Sequence, residues 1–377
     1  MVVRPGALPR DANRINRIGY RMTDPTPPPP DDGIRIEVTP ADEVPDIDLV
    51  LDTDPTKPVP VAPPPLPPPP PPPAPKRAEW KVLEPDERTD ATPHEAFEAG
   101  PAQPGWEVVA ASVRGKLHAH KGQWREDSYR WATADGWTIL AVSDGAGSAR
   151  LSRVGSRLAC DTAVSRLQKL LAGYAVAPAA GQPADADLQR IREFLRSAAD
   201  QARMAVLHEA RLRSAPVKDF SATLLLAVVA PWADRHLVGV LQAGDGAVGV
   251  MSTDGVRRVG IADHGEYSSE TRFLTTPGME LEYSNRVVFS LPAGLRGVAL
   301  MSDGVSDDFY PEDKRLGELF TAGAIDGLTT REGGPLPGLP AVAADPRGGE
   351  ALCDWLRYEK RGSSDDRTLV LLHRSAP

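Results

Sequence analysis

The sequence predicts an α+β sandwich, two sheets covered by helices, preceded by a long proline-rich segment. Three observations carry this. Strand-like runs open and close the region after Gly105, and a long helical pair lies between them. A doubly wound parallel sheet would need strands and helices alternating throughout, and they do not. More than half of the 39 prolines lie before Lys76, including 27–30 and a run over 63–73 broken only by Leu66.

A stretch so poor in aromatics cannot bury enough apolar surface to offset the entropy of ordering it. Polyproline instead favours an extended, semi-rigid helix without internal hydrogen bonds. Residues 1–104 therefore read as a disordered tail and linker, and 105–377 as one folded domain. Inside the tail, residues 34–38 and 44–50 are short apolar stretches set among acids. They read as linker, with partner-docking motifs as the other reading.

From Val108 the pattern changes. Residues 108–113 read as a strand, followed by a polar loop over 115–126. Residues 129–133 and 137–142 form a hairpin around Ala134-Asp135-Gly136. Residues 151–171 place Val154, Leu158, Val164, Leu167 and Leu171 near one helical face, and 188–212 is a longer amphipathic run. Strands then return at 222–229, 236–242, 247–252, 286–290 and 297–301. Short helices are expected at 311–320 and 350–358, and the chain closes on a strand at 368–373.

Several function classes are disfavoured. The net charge of −9 opposes a nucleic-acid partner, whose phosphates call for Lys/Arg surfaces. Cys160 and Cys353 are too few and too far apart for a disulfide scaffold or zinc site, and read as buried, reduced core residues. No apolar run reaches the roughly 18 residues that cross a bilayer. The first residues lack the apolar stretch of a secretory signal. A soluble, cytoplasmic monomer is expected.

The chemical signal lies in where the acids fall. Asp144 follows the strand-like run 137–142 and precedes Gly145; Asp303 follows 298–301 and precedes Gly304. Glu126 and Asp127 directly precede the strand at Tyr129, and Asp365 and Asp366 the one at Thr368. Alone, each reads as a turn, a solvated loop or charge on a sheet edge. Together they place acids at the ends of four strands. Like charges gathered in one cleft repel unless cations neutralise them. Glycine after each aspartate lets the backbone bend sharply, so that its carbonyl can also approach an ion. Hard oxygen ligands favour Mg²⁺ or Mn²⁺ over zinc.

The ordered series Gly115-Lys116-Leu117-His118, Arg125-Glu126-Asp127-Ser128, Ser143-Asp144-Gly145-Ala146-Gly147-Ser148, Ser221-Ala222-Thr223, Gly244-Asp245-Gly246, Ser302-Asp303-Gly304-Val305-Ser306-Asp307 and Asp365-Asp366-Arg367-Thr368 resembles the metal-dependent protein phosphatases of type 2C. It is similar to the bacterial subgroup with Asp-Gly-Ala-Gly-Ser where eukaryotic members have Asp-Gly-His-Gly. The match runs in order over about residues 105–375 and leaves out the tail.

The resemblance implies a four-layer α-β-β-α sandwich of two antiparallel sheets flanked by helices, with two Mg²⁺ or Mn²⁺ ions at one end. Asp144 would bridge both ions. Asp303 and Asp365 would complete one shell, Glu126 and the Gly145 carbonyl the other, and Asp127 would orient bound water. Thr223 would support the site, Asp366 aligns with a family asparagine, and Asp307 would serve a third, weaker ion. Gly244-Asp245 matches a motif of structural or second-shell role. The better-known members carry a phosphate-binding arginine five residues before Asp127, where this chain has Gly122. His118 is then a candidate to bind phosphate or protonate the leaving oxygen, the other reading being a loop histidine that holds the backbone. Lys121 and Arg125 are further candidate phosphate contacts, with a solvated surface position as the alternative for each.

Two metal ions roughly 3.5–4 Å apart lower the pKa of a shared water to near neutrality and clamp phosphate oxygens. The expected activity is thus hydrolysis of phosphoserine and phosphothreonine by a metal-activated water. The alternative is an inactive module of the same fold that binds phosphoproteins in a kinase-linked signalling system. The expected partners are phosphoprotein substrates, with a serine/threonine kinase or a von Willebrand A-type protein implied by the subgroup. A haloacid-dehalogenase-type reading fails because no Asp-x-Asp-x-Thr motif is present.

Overall fold

The computed structural model describes residues 80–176, 183–263 and 271–375. The tail up to residue 79, with both apolar stretches, lies outside the described residues. The chain runs β1 (Glu95–Pro101), β2 (Trp106–Val113), α1 (Lys116–Lys121), β3 (Ser128–Ala134), β4 (Trp137–Ser143), α2 (Ser152–Leu171) and α3 (Asp185–Leu212). Next come β5 (Leu224–Trp232), β6 (Arg235–Ala243), β7 (Ala247–Ser252), β8 (Gly255–Arg258), α4 (Met279–Glu282), β9 (Val287–Ser290) and β10 (Gly297–Met301). It ends with α5 (Asp303–Ser306), α6 (Glu312–Arg315), β11 (Ala324–Thr329), β12 (Pro335–Pro337), α7 (Leu339–Ala343), α8 (Gly349–Leu356) and β13 (Arg367–Arg374).

The strands form a six-stranded sheet in the order β1-β2-β13-β10-β7-β8, a five-stranded sheet β3-β4-β5-β6-β9, and a small β11-β12 arm. All these pairings are antiparallel. The hairpin between β3 and β4 turns on Asp135 (φ 41°) and Gly136 (φ 87°), the left-handed pair that an Asp-Gly turn supplies.

Why the strands read as continuous apolar runs is visible in the layering. In β4 and β5, Ile139, Ala141, Leu224, Leu226 and Val228 pack against α2 and α3. The intervening Leu140, Val142, Leu225, Ala227 and Val229 meet Val108, Ala110, Val298, Leu300, Val370 and Leu372 of the other sheet. The alternate residues of that sheet, including Val109, Ala299, Met301 and Leu371, pack against α7 and α8. Each sheet is covered on both faces, so both side-chain rows must be apolar. The result is a four-layer α-β-β-α sandwich. Cys160 and Cys353 are free thiols inside these cores.

The expected linker is corrected at its C-terminal part. Residues 95–101, read as tail, are edge strand β1, paired in register with β2 from Glu95↔Val113 to Pro101↔Glu107. Only every second residue of β1 is half-buried, so it lacks the apolar run that marks the inner strands. Residues 80–94 also pack on the domain, through backbone groups that composition does not reveal. The Leu83 N–H donates to the Ala119 carbonyl at 2.9 Å, and the Trp124 indole N–H to the Glu87 carbonyl at 2.8 Å. Arg153 donates to the carbonyls of Thr89 and Asp90, each at 3.0 Å. Two smaller differences follow the same logic. The loop expected over 115–126 contains the one-turn-and-a-half helix α1, and the helix expected over 311–320 divides into α6 and a 3-10 segment, Leu316–Phe320.

Candidate metal centre

The sheet register brings the acids together. Ser128 pairs with Ser143 at the end of the β3-β4 ladder, so the next residues outward, Asp127 and Asp144, face each other. Met301 pairs with Ala247, and the same step sets Asp303 opposite Asp245. Val113 pairs with Arg367, which brings Gly115 alongside Asp365. Acids from both sheets thus meet at one end of the sandwich.

Carboxylate oxygens of Asp144, Asp245 and Asp303 lie within 4.8 Å of one another. A second group, His118, Asp365 and Asp366, is equally tight. Glu126 Oε2, Asp127 Oδ2, Asp245 Oδ1 and Asp303 Oδ1 are buried with no hydrogen-bond partner. Buried oxygens without partners are costly, and hard, anionic oxygens in this arrangement fit a divalent cation such as Mg²⁺ or Mn²⁺.

The electrostatics agree. Burial and the facing charges of Asp303 and Asp127 raise Asp144 well above the usual carboxylate range. Burial lifts Asp303 to about 7 and Glu126 to about 7. Burial and the Asp366 charge lift Asp127 to about 6. Asp365 stands exposed at the rim, yet packing around its carboxyl and the Asp366 charge still raise it. Crowded acids raised together are the signature of a site built around positive charge.

The supporting contacts explain how the acids are fixed. Thr223 Oγ1 accepts the Asp144 N–H at 2.8 Å, and the Thr223 N–H returns a bond to the Asp144 carbonyl at 2.8 Å. The hydroxyls of Ser302 and Thr368 lie beside Asp127 and offset part of its rise. Asp366 is buried and accepts from the Gly115 N–H at 2.6 Å, the Glu126 N–H at 2.6 Å and His118 Nδ1 at 2.8 Å. Burial alone would lower the His118 pKa, but the Asp366 hydrogen bond and charge outweigh it and hold it up to about 9.

The glycines have a different reason from the one the sequence suggests. Neither Gly145 nor Gly304 has positive φ. A Cβ on Gly145 would sit 2.6 Å from the Glu126 carbonyl oxygen, and one on Gly304 would strike the Asp366 carbonyl oxygen. Each Asp-Gly pair docks directly on the backbone of another acidic motif.

The other expected residues are placed as follows. Asp307 is exposed, though packing around its carboxyl and the Asp245 charge raise it, and it stands outside both tight groups. Lys121 ends α1 on the surface. Arg125 is buried, donating from Nε to the Pro93 carbonyl at 3.0 Å. Asp245, for which the motif suggested a structural or second-shell role, is instead a full member of the acidic cluster. The signal was present: it follows the apolar run of β6 and precedes glycine, as Asp144 and Asp303 do after their strands.

The sequence matches the protein phosphatase 2C family model over residues 114–330. The chain belongs to the protein phosphatase 2C family. The matched segment contains Glu126, Asp144, Asp245 and Asp303 and stops before Asp365. Among solved structures, a bacterial serine phosphatase is 14% identical, with a TM-score of 0.46, covering 75% of this chain and 99% of that one. The serine/threonine phosphatase PstP of Mycobacterium tuberculosis is 15% identical, with a TM-score of 0.43, over 72% and 99%. Stp1 from Staphylococcus aureus is 14% identical, with a TM-score of 0.45, over 79% and 100%. No curated protein sequence matches the chain. This phosphatase 2C chain carries an acid at each motif of the cluster, and Gly122 stands five residues before Asp127.

Proposed function

We propose that the chain is a metal-dependent serine/threonine protein phosphatase working with two Mg²⁺ or Mn²⁺ ions. The observation that carries this is the cluster of Asp144, Asp245 and Asp303, with partnerless buried oxygens, in a protein phosphatase 2C chain. The solved relatives named as serine and serine/threonine phosphatases accord with it. Asp144, Asp303, Asp365 and Asp245 would hold one side of the metal centre, and Glu126 with the Gly145 carbonyl the other. Bound ions supply an activated water and neutralise charge developing on the phosphate.

The protein's own groups have separable tasks. Asp127, buried beside Ser302 and Thr368, accepts the proton of the attacking water. His118 is fixed through Nδ1 by Asp366, which leaves Nε2 beside Gly147 to donate a proton to the leaving oxygen. Gly147 belongs to a cavity of about 330 Å³ that Gly122, Glu126 and Arg150 also line. Arg150 enters it from the start of α2 and is largely exposed, with only a 3.9 Å approach to Asp219. It is therefore placed to meet the phosphate in the absence of an arginine at position 122.

The test is Mn²⁺- and Mg²⁺-dependent hydrolysis of phosphoserine and phosphothreonine peptides by the wild type and Asp144→Ala. Turnover by the wild type alone is expected. A folded wild type that hydrolyses nothing with either metal would support the second reading, a phosphoprotein-binding module, which Gly122 favours.

A further inference from the structure

Beside α1 lies a cavity larger than the Arg150 one, of about 500 Å³, which reaches the candidate metal centre at Gly115 and Asp365. Its size falls in the range of roughly 300–1,000 Å³ typical of ligand pockets. Trp80 and Val82 from the segment ahead of β1 form one wall, and Arg331, in the turn between β11 and β12, stands on another. Neither wall contributes a metal ligand.

The charges in this cavity do not cancel. Lys116 pairs with Glu359, Arg357 with Glu95, and Arg367 with Asp308. Asp365 is committed to the metal centre. Arg114 gives Nη1 to the carbonyls of Leu83 and Gln123, at 3.3 and 3.2 Å, and meets no carboxylate in an ion pair among the described residues. Arg331 is exposed and has neither a hydrogen bond nor an ion pair among the described residues. The carboxylates of Glu84 and Asp366 act on Arg114, so Arg331 is the guanidinium left uncompensated in a groove whose other end is the catalytic centre. Guanidinium selects carboxylate and phosphate by shape as well as charge.

We propose that this cavity is a substrate subsite for an anionic side chain flanking the phosphorylated residue, with Arg331 as its specificity determinant. The occupant is a segment of the phosphoprotein substrate carrying an acidic or second phosphorylated residue within a few positions of the scissile phosphate. Trp80 and Val82 give the aliphatic part of that segment an apolar wall. This rests on the phosphatase reading, which supplies the substrate that continues from the metal centre into the groove.

The experiment compares phosphothreonine peptides flanked on both sides by alanine, by glutamate or by a second phosphoserine, with p-nitrophenyl phosphate as the reference in each enzyme preparation. For the wild-type chain with Mn²⁺, kcat/KM for the anionic peptides should exceed that for the alanine peptide roughly five-fold, the scale of one exposed ion pair. Arg331→Ala should bring the ratio to about one, Arg331→Glu should invert it, and Arg331→Lys should retain most of it. The glutamate and phosphoserine arms separate carboxylate from phosphate as the preferred anion. Equal kcat/KM for all peptides in the wild type, or an undiminished preference in Arg331→Ala, overturns the subsite while leaving the phosphatase intact. If no substrate turns over, the same ratios are read as Kd by fluorescence anisotropy. An Arg331-dependent preference then upholds the subsite and removes the catalytic reading, and its absence overturns both.

Discussion

The Glu126 backbone N–H donates to Asp366 Oδ2 at 2.6 Å, and this one contact ties the first acidic motif to the last. The other oxygen of the same carboxylate holds the Gly115 N–H and His118 Nδ1. A single buried side chain from the start of β13 therefore fixes both ends of the loop that carries α1. The family's asparagine offers one acceptor oxygen where this aspartate offers two.

Replacing Asp366 with alanine should accordingly damage both stability and activity. Two N–H groups and the histidine would lose a charged acceptor, and each bond to a charged group is worth about 1.5–3 kcal/mol. Because the donors partly re-pair with water, the expected loss is roughly 2–4 kcal/mol in urea unfolding. Asp366→Asn should fall between the two. Wild-type stability in Asp366→Ala would show that the loop holds itself.

The metal-free protein should lose stability as pH rises. Asp303 and Glu126 titrate at about 7 and Asp127 at about 6 when folded, against ordinary values of 3.8 to 4.5. Between these limits the folded state holds more protons than the unfolded one, so unfolding free energy falls with pH. His118, raised to about 9 from 6.5, extends the same trend above neutrality. Its contribution is complete below pH 6.5 and lost through pH 9. The Tm in EDTA should therefore drop between about pH 4.5 and 8. Saturating Mn²⁺, or Asp303→Asn, should flatten the slope. Identical pH profiles with and without metal would count against the cluster as a cation site.

How much of this was legible in the sequence depended on which signal each residue leaves. The inner strands, such as β4 and β10, are apolar on both faces and announce themselves. So do the four acidic motifs that adjoin them. Edge strand β1 is held by backbone pairing and leaves only Glu-Ala-Phe-Glu-Ala-Gly-Pro, which resembles linker. Asp245 was visible by position but not by its place in the cluster, which arises from the Ala247↔Met301 register that sets it opposite Asp303. The double-acceptor task of Asp366 depends likewise on a loop that is distant in the chain.

That register of contacts between motifs makes Gly304→Ala a severe change for a small one. Its Cβ would strike the Asp366 carbonyl oxygen, and backbone cannot retreat as a flexible side chain can. Overpacking of this kind costs about 1–3 kcal/mol or more. Mn²⁺ affinity by titration calorimetry should fall along with Tm, since the shift displaces Asp365 and Asp366 together. Unchanged affinity would mean that the two loops are not rigidly coupled.

Truncation should separate the two parts of the presumed linker. A chain starting at residue 80 keeps the bonds from Leu83 and Glu87 to the α1 region, whereas one starting at residue 95 loses them. It also loses the bidentate pair between Arg213 and Asp90 and uncovers Arg153. The shorter chain should lose several degrees in Tm and part of its activity, and the longer one neither. Equal Tm values would confine the folded unit to β1 and beyond.

The sharpest test of His118 uses the leaving group. A proton donor matters most when the departing oxygen is a poor leaving group, and general acid catalysis contributes typically about 10²–10⁴-fold. The serine or threonine alkoxide needs that proton; p-nitrophenolate departs without it. His118→Gln should therefore lower kcat on a phosphothreonine peptide by about 100-fold, while its rate on p-nitrophenyl phosphate falls far less. A histidine that only holds the loop backbone would depress both substrates in proportion. With Nδ1 taken by Asp366 and Nε2 turned toward Gly147, the geometry favours the first pattern.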